Sequence, residues 1–216
     1  MQHYALTLKT VKSKNIMSKL KKSLLVIIIV LIIDQILKIW IKTNMVIGQE
    51  HRIFNWFSIY FIENNGMAFG MELSGQFGKI ILSIFRIVAV IGIGWYLFRL
   101  TQKKTTTTGL IICVSLIFAG AIGNIIDSAF YGMIFTDSYT QVASFVLPGR
   151  GYSSFLHGKV VDMFYFPIIS GRYPDWFPFG WAGKSFVFFR PVFNIADSAI
   201  TIGILTLLVF QKKFFK

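Results

Sequence analysis

Four runs of apolar residues divide the chain, and their lengths set the first expectation. Residues 23–41, 79–98, 109–126 and 194–210 are each close to the length of about 20 apolar residues that a helix needs to cross a bilayer. Between the first two, residues 52–62 alternate loosely and are rich in aromatic and β-branched side chains (Ile53, Phe54, Trp56, Phe57, Ile59, Tyr60, Phe61), a pattern that predicts short strands. Residues 128–158 are polar and contain glycines, whereas residues 162–191 are crowded with Phe, Tyr, Trp and Pro, the composition of a membrane-interface segment. The pattern predicts an all-α polytopic membrane protein with four transmembrane helices, a small extracytoplasmic β-element and a long outer loop over residues 128–190. Within that loop, residues 128–157 are expected to make a surface excursion that supplies no catalytic group.

Composition agrees with this class. Hydrophobic residues make up 55% of the chain and charged residues only 14%, against roughly a quarter charged in soluble domains. The net charge of +13 raises the question of nucleic acid, but the basic residues gather at the ends of apolar runs, where they set orientation and meet anionic lipid. Membrane lipid is therefore the expected partner, and nucleic acid is not. Six lysines lie in residues 1–22, three basic residues in 99–104 and three in 212–216. Placing all three groups on one side makes both termini cytoplasmic, with Thr106 inside and Ser154 outside. Residues 19–33 resemble the start of a signal peptide, but the run continues into Asp34, Gln35 and Lys38 without a small-residue cleavage site, so the span is read as retained. Residues 1–22 then form a basic tail, of which 1–16 are either an extension or a matter of start-site choice, since Met17 begins a second plausible start. Residues 23–211 form one domain and 212–216 a basic end. Cys113 is the sole cysteine, so no internal disulfide is possible, and its apolar setting suits packing.

The acids change the picture most. Of nine, four (Asp34, Asp127, Asp162 and Asp197) lie in or beside apolar segments, where a charge is costly and marks a functional candidate. Asn124 and Asp127 stand three apart on one helix face, as do Asn194 and Asp197. Paired carboxylates that share a proton can activate water with one member and protonate a carbonyl or leaving group with the other. The plainer alternative is that such residues cap helices or sit among headgroups. Asp34 and Lys38, spaced i,i+4, read as a structural clip. Gly66 marks a turn in residues 63–70, and Arg86 is an interior charge that has to face protein, water or a headgroup. His3, His51 and His157 are scattered with no zinc-protease spacing, no Gly-x-Ser-x-Gly elbow occurs, and Cys113 has no His nearby in sequence. The carboxylates remain, either as a hydrolytic pair or as a proton relay in a small transporter or channel subunit. A relay would be accompanied by paired repeats or broken helices, which the sequence lacks.

Five segments carry a resemblance: Asp34-Gln-Ile-Leu-Lys38, Asn64-Asn-Gly-Met-Ala-Phe69, Gly120-Ala-Ile-Gly-Asn-Ile-Ile-Asp127, Gly158-Lys-Val-Val-Asp162 and Phe193-Asn-Ile-Ala-Asp-Ser198. In content and order they resemble the blocks of the bacterial lipoprotein signal peptidases, also called type II signal peptidases. The resemblance implies an intramembrane aspartyl endopeptidase of the bacterial inner membrane that cuts the signal peptide from a prolipoprotein, just before a cysteine carrying diacylglycerol. It implies Asp162 and Asp197 as the catalytic pair, working near the extracytoplasmic face. Asn64, Gly66, Asn124, Asp127, Asn194, Asp34 and Lys38 match its supporting and substrate-binding positions. A monomer without metal or cofactor is expected, since the pair supplies both acid and base. Three features depart from the family pattern: Ser128 stands where Arg is usual, Met67 where Ala is usual, and residues 128–157 lengthen the link between the third and fourth blocks.

Overall fold

The computed structural model describes residues 2–65, 75–147, 149–188 and 190–215. Helix α1 (Gln2–Asn44) carries the first apolar run, α2 (Gly75–Gln102) the second and α3 (Thr108–Ile126) the third. These runs are rich in Ile and Val, which are mediocre helix formers in water. A bilayer reverses the preference, because a helix satisfies every backbone polar group within the segment. Among the described residues, three helical stretches are long and apolar enough to cross a membrane: Ser18–Asn44, Ile80–Gln102 and Thr108–Ile134. Their outward faces carry exposed Leu25, Ile29, Phe85, Val88 and Ile91, as lipid contact requires.

Helix α1 is already helical at Gln2 and runs unbroken through the basic stretch into the span. One predicted boundary needs correction. The third helical stretch does not stop at residue 126. A π-helical turn (Asp127–Tyr131) and helix α4 (Gly132–Ile134) carry it onward, so the outer loop begins after Ile134 rather than at residue 128. The charge of Asp127 suggested an end to the span, but that carboxylate is neutralised inside the protein, as described below.

The expected β-element over 52–62 is the edge of a larger sheet. Strands β1 (Glu50–Phe54) and β2 (Phe57–Asn64) form an antiparallel hairpin. Beside β2 runs β3 (Val160–Tyr165), with Ile62 opposite Asp162 and Asn64 opposite Val160. After β3 the chain forms a separate hairpin of β4 (Ile169–Arg172) and β5 (Ser185–Phe188), then returns as β6 (Val192–Phe193) to pair with β3. The sheet order is β1-β2-β3-β6. The last apolar run follows at once as α5 (Ile195–Val209), 15 residues and so roughly 22 Å long, before the chain turns at Phe210 into α6 (Gln211–Phe214).

Small residues set the contact between α3 and α5. A Cβ on Gly120 would lie 2.2 Å from the Ala196 carbonyl oxygen, and one on Gly203 would lie 2.8 Å from that of Cys113. Only glycine lets the two backbones approach this closely.

Residues 128–157 are more than a surface excursion. Tyr131, Phe135 and Ala143 are buried against Ile41 and Met45 of α1, Phe61 of β2, and Val161 and Met163 of β3. The segment thus completes the core beneath the sheet, and its polar composition hides three apolar anchors. Replacing Phe135 by Ala is expected to cost about 3–5 kcal/mol in reversible unfolding in detergent micelles, as for a large buried aromatic. Leu147→Ala, at an exposed position, should stay within about 0.5 kcal/mol of the parent.

Candidate active site

One face of α1 presents Asp34, Lys38 and Lys42 at successive i,i+4 positions, and all three side chains are fully buried. The Lys38 ammonium has three protons and three acceptors: Asp34 Oδ2 at 2.9 Å, Asp127 Oδ2 at 2.8 Å and Asn124 Oδ1 at 2.9 Å. The predicted clip between Asp34 and Lys38 is therefore half of a larger node. Gln35 Nε2 donates to Asp34 Oδ2 and to Asp127 Oδ1, both at 3.1 Å, and Gln35 Oε1 accepts from the Tyr131 hydroxyl at 3.2 Å. Asp34 Oδ1 accepts from the backbone N–H of Ala196 at 2.9 Å, in the first turn of α5. Asp127 Oδ2 accepts from the Val161 N–H of β3 at 3.3 Å. One buried cluster thus joins α1, α3, α5 and the sheet. Gly123 makes room for it, since a Cβ there would lie 2.7 Å from Asp34 Oδ2.

Against this node stand Asp162 and Asp197. Asp162 occupies β3, whose residues 160–163 are all buried, and keeps only 2% of its surface exposed. Pairing of β3 with β6 sets Phe164 opposite Phe193 and so brings Asn194 to Asp162. Asn194 Nδ2 donates to Asp162 Oδ1 at 2.7 Å and also lies 3.1 Å from Asn124 Oδ1, while Asn64 Nδ2 at the end of β2 donates to Asp162 Oδ2. Asn194 is also the N-cap of α5: its side chain accepts from the Asp197 N–H at 2.9 Å, and Asp197 Oδ2 accepts from the Asn194 N–H at 3.3 Å. Asn124 Nδ2 donates to Asp197 Oδ1 at 2.8 Å. Asn124 and Asn194 thereby tie both carboxylates to the Lys38 node. Eight of the nine sequence-predicted positions converge here, and Gly66 lies outside the described residues.

The two sets of carboxylates differ in their donors. Asp34 and Asp127 face a cation, whereas the hydrogen bonds to Asp162 come from neutral amides. Burial, then repulsion from Asp197, pushes the Asp162 carboxyl up to about 8, only partly opposed by Lys38 and by the amides of Asn194 and Asn64. Burial beside a second carboxylate thus favours the protonated form of Asp162. Arg86 of α2, predicted to face protein, water or headgroup, lies within electrostatic reach of Asp197, Asp127 and Asp162.

Sequence reading missed a second cluster beside the first. Lys42 Nζ contacts Glu63 and lies 2.8 Å from Ser138 Oγ, and Lys159 Nζ is 3.8 Å from the other Glu63 oxygen. Glu63 directly precedes Asn64, so this cluster anchors the strand end that reaches Asp162. The available signal was Lys42 itself, on the same i,i+4 row as Asp34 and Lys38. Ser138 gave none. Among the described residues, no group of three or more His, Cys, Asp or Glu has metal-holding geometry.

A family model described as Signal peptidase (SPase) II matches residues 26–213. The chain belongs to that family. A lipoprotein signal peptidase of Porphyromonas gingivalis is 54% identical over 183 residues, covering 85% of this chain and 79% of the relative. One from Amoebophilus asiaticus is 38% identical over 189 residues, covering 86% and 75% respectively. A solved structure titled as a bacterial membrane enzyme superposes with a TM-score of 0.58 at 26% identity, over 88% of this chain and 87% of that one. A second, likewise titled, gives 0.56 at 28% identity, over 87% and 90%. As a member of the signal peptidase II family the chain is an aspartic endopeptidase.

The shifted Asp162 has a consequence for stability. A carboxyl raised from the ordinary 3.8 to about 8 on folding makes the native state the stronger proton binder between those values. Its stabilising contribution is then complete below about pH 4 and lost as pH rises through about 8. Thermal unfolding in detergent from about pH 4 to about pH 9 should show the parent losing stability relative to Asp162→Asn, which has no such proton to lose. Parallel profiles for the two proteins would contradict the assignment.

Proposed function

We propose that this chain removes the signal peptide from prolipoproteins, cutting before a cysteine modified with diacylglycerol, with Asp162 and Asp197 as the catalytic pair. The observation that carries the reading is the shared amide scaffold: Asn194 holds Asp162 and caps the helix that bears Asp197, while Asn124 holds Asp197. Asp197 acts as the base, taking a proton from water as the oxygen attacks the scissile carbonyl carbon. Asp162 gives its proton to the carbonyl oxygen, and a tetrahedral diol forms. In the second step Asp197 returns its proton to the leaving nitrogen, the C–N bond breaks, and the diol gives a proton back to Asp162, restoring the starting state. Asn64, Asn124, Asn194 and the node of Asp34, Lys38 and Asp127 hold these groups in place, and no step calls for a metal or cofactor.

Asp162→Asn and Asp197→Asn should each lower cleavage of a diacylglyceryl-modified prolipoprotein on the order of 10⁴-fold, because the pair acts as a unit. The assay uses purified protein in detergent with a chelator present. Near-normal turnover by either variant would remove that residue from the chemistry.

The proposed setting is a monomer in the bacterial inner membrane, with α5 and α6 as a fourth crossing, both termini cytoplasmic and the catalytic pair at the extracytoplasmic face. The lysine and arginine distribution supports this orientation. Single cysteines at Ser154 and Thr105 should react with an impermeant thiol reagent from opposite sides, the first from outside. Labelling of both from one side would refute the crossing by α3 and with it the four-crossing arrangement.

A further inference from the structure

The β4–β5 hairpin has no role in the site described above, and its side chains divide into two sets. Tyr173 packs on Phe177, Trp181 and Phe186 with ring centroids 4.6, 5.3 and 4.8 Å apart. The ladder continues past the strands, with the Tyr173 N–H donating to the Lys184 carbonyl at 3.0 Å and the Gly183 N–H to the Tyr173 carbonyl at 3.1 Å. This cluster makes the arm stiff. The second set is exposed: Trp176, whose ring centroid lies 5.9 Å from that of Phe177, is 79% exposed and Phe179 is 89% exposed.

Phe179 adds an independent observation. Its φ is +65°, a left-handed conformation that a bulky L residue rarely adopts. Such strain persists where the surroundings impose it and clusters at functional positions. Here it holds outward an aromatic ring that gains almost no burial within the protein. Arg172 and Lys184, at the ends of the two strands, are exposed as well, and the nearest acid in the loop is Asp175.

Topology says what lies beside the arm. Its root is the Tyr165–Val192 pair, and α5 begins three residues after Val192, a step of roughly 10 Å along an extended chain. The arm therefore springs from the level at which an apolar helix enters the bilayer. Aromatic rings between cations at that level match the composition of a membrane interface.

We infer that the β4–β5 hairpin is a bilayer-docking arm: Trp176 and Phe179 enter the headgroup–acyl boundary, and Arg172 and Lys184 engage anionic lipid phosphates. Docked in this way, the arm fixes the height of the β3–β6 pair, and with it Asp162 and Asn194, above the membrane. That the arm lies on the outer side rests on the orientation proposed above. Bilayer contact does not, and the Ser154 labelling decides orientation separately.

The test uses the full chain in nanodiscs of phosphatidylcholine alone or mixed with phosphatidylglycerol. Emission of Trp176 is obtained as the difference between the parent and Trp176→Phe. Lipids brominated near the carbonyl end of their chains should roughly halve that emission, with more quenching in the anionic discs. The double variant Arg172→Gln, Lys184→Gln should abolish the difference between the two lipids while leaving prolipoprotein cleavage in detergent unchanged, which confirms that it is folded. Trp176 emission that ignores brominated lipid and is quenched by aqueous acrylamide would overturn the proposal. So would shielding that appears only when another protein is added, and equal quenching in both lipids would overturn the phosphate contacts.

Discussion

The structure depends on one buried cation. Burying an ammonium group away from water costs several kcal/mol, and only close opposite charge with complete hydrogen bonding offsets that. Lys38 meets both conditions, with each proton directed to an acceptor on Asp34, Asp127 or Asn124. Because the acceptors belong to different helices, the requirement fixes how α1 and α3 face each other. Through Asp34 and the Ala196 N–H it also fixes where α5 starts. Removing the cation would strand two buried carboxylates, a cost of about 3–5 kcal/mol. Elements that would otherwise be free to slide in a bilayer, where apolar packing is unselective, are thereby placed.

This placement divides the labour among four carboxylates of the same chemical type. Asp34 and Asp127 lie against a positive charge and serve as fixed anions. Asp162 lies one layer away, in a dry strand with neutral amides, and is a proton holder instead. Asparagine suits the intermediate layer because it donates and accepts at once. Asn124 accepts a hydrogen bond from Lys38 and donates one to Asp197, while Asn194 donates one to Asp162 and accepts one from the backbone of α5. The polarity of the node is thus passed to Asp162 and Asp197 without its full charge.

Much of this was legible in the sequence. Apolar run lengths located the helices, and carboxylates at apolar edges identified the four acids. The pairs Asn124/Asp127 and Asn194/Asp197 showed the spacing that a shared face requires. Interactions distant in sequence were not legible. Nothing local to Val160 announces that β3 pairs with both β2 and β6, so the sheet was read as a fragment of its true extent. Residues 128–157 were misread because composition averages over a segment, whereas Phe135 and Ser138 act singly at buried positions. The third helix was stopped too early for a similar reason: the charge at Asp127 ends a helix facing lipid but not one facing Lys38.

The row of Asp34, Lys38 and Lys42 also restricts motion. Their side chains engage partners at separate heights along α1, spread over about 12 Å of its axis. Sliding this helix by one residue would also turn each of them by about 100° and release all three contacts together. The helix is consequently keyed against both rotation and piston movement, and no small step relieves one contact while keeping the others. Any rearrangement that admits a second polypeptide into this fold has to be made by elements outside that key, with α1 serving as the stator against which they move.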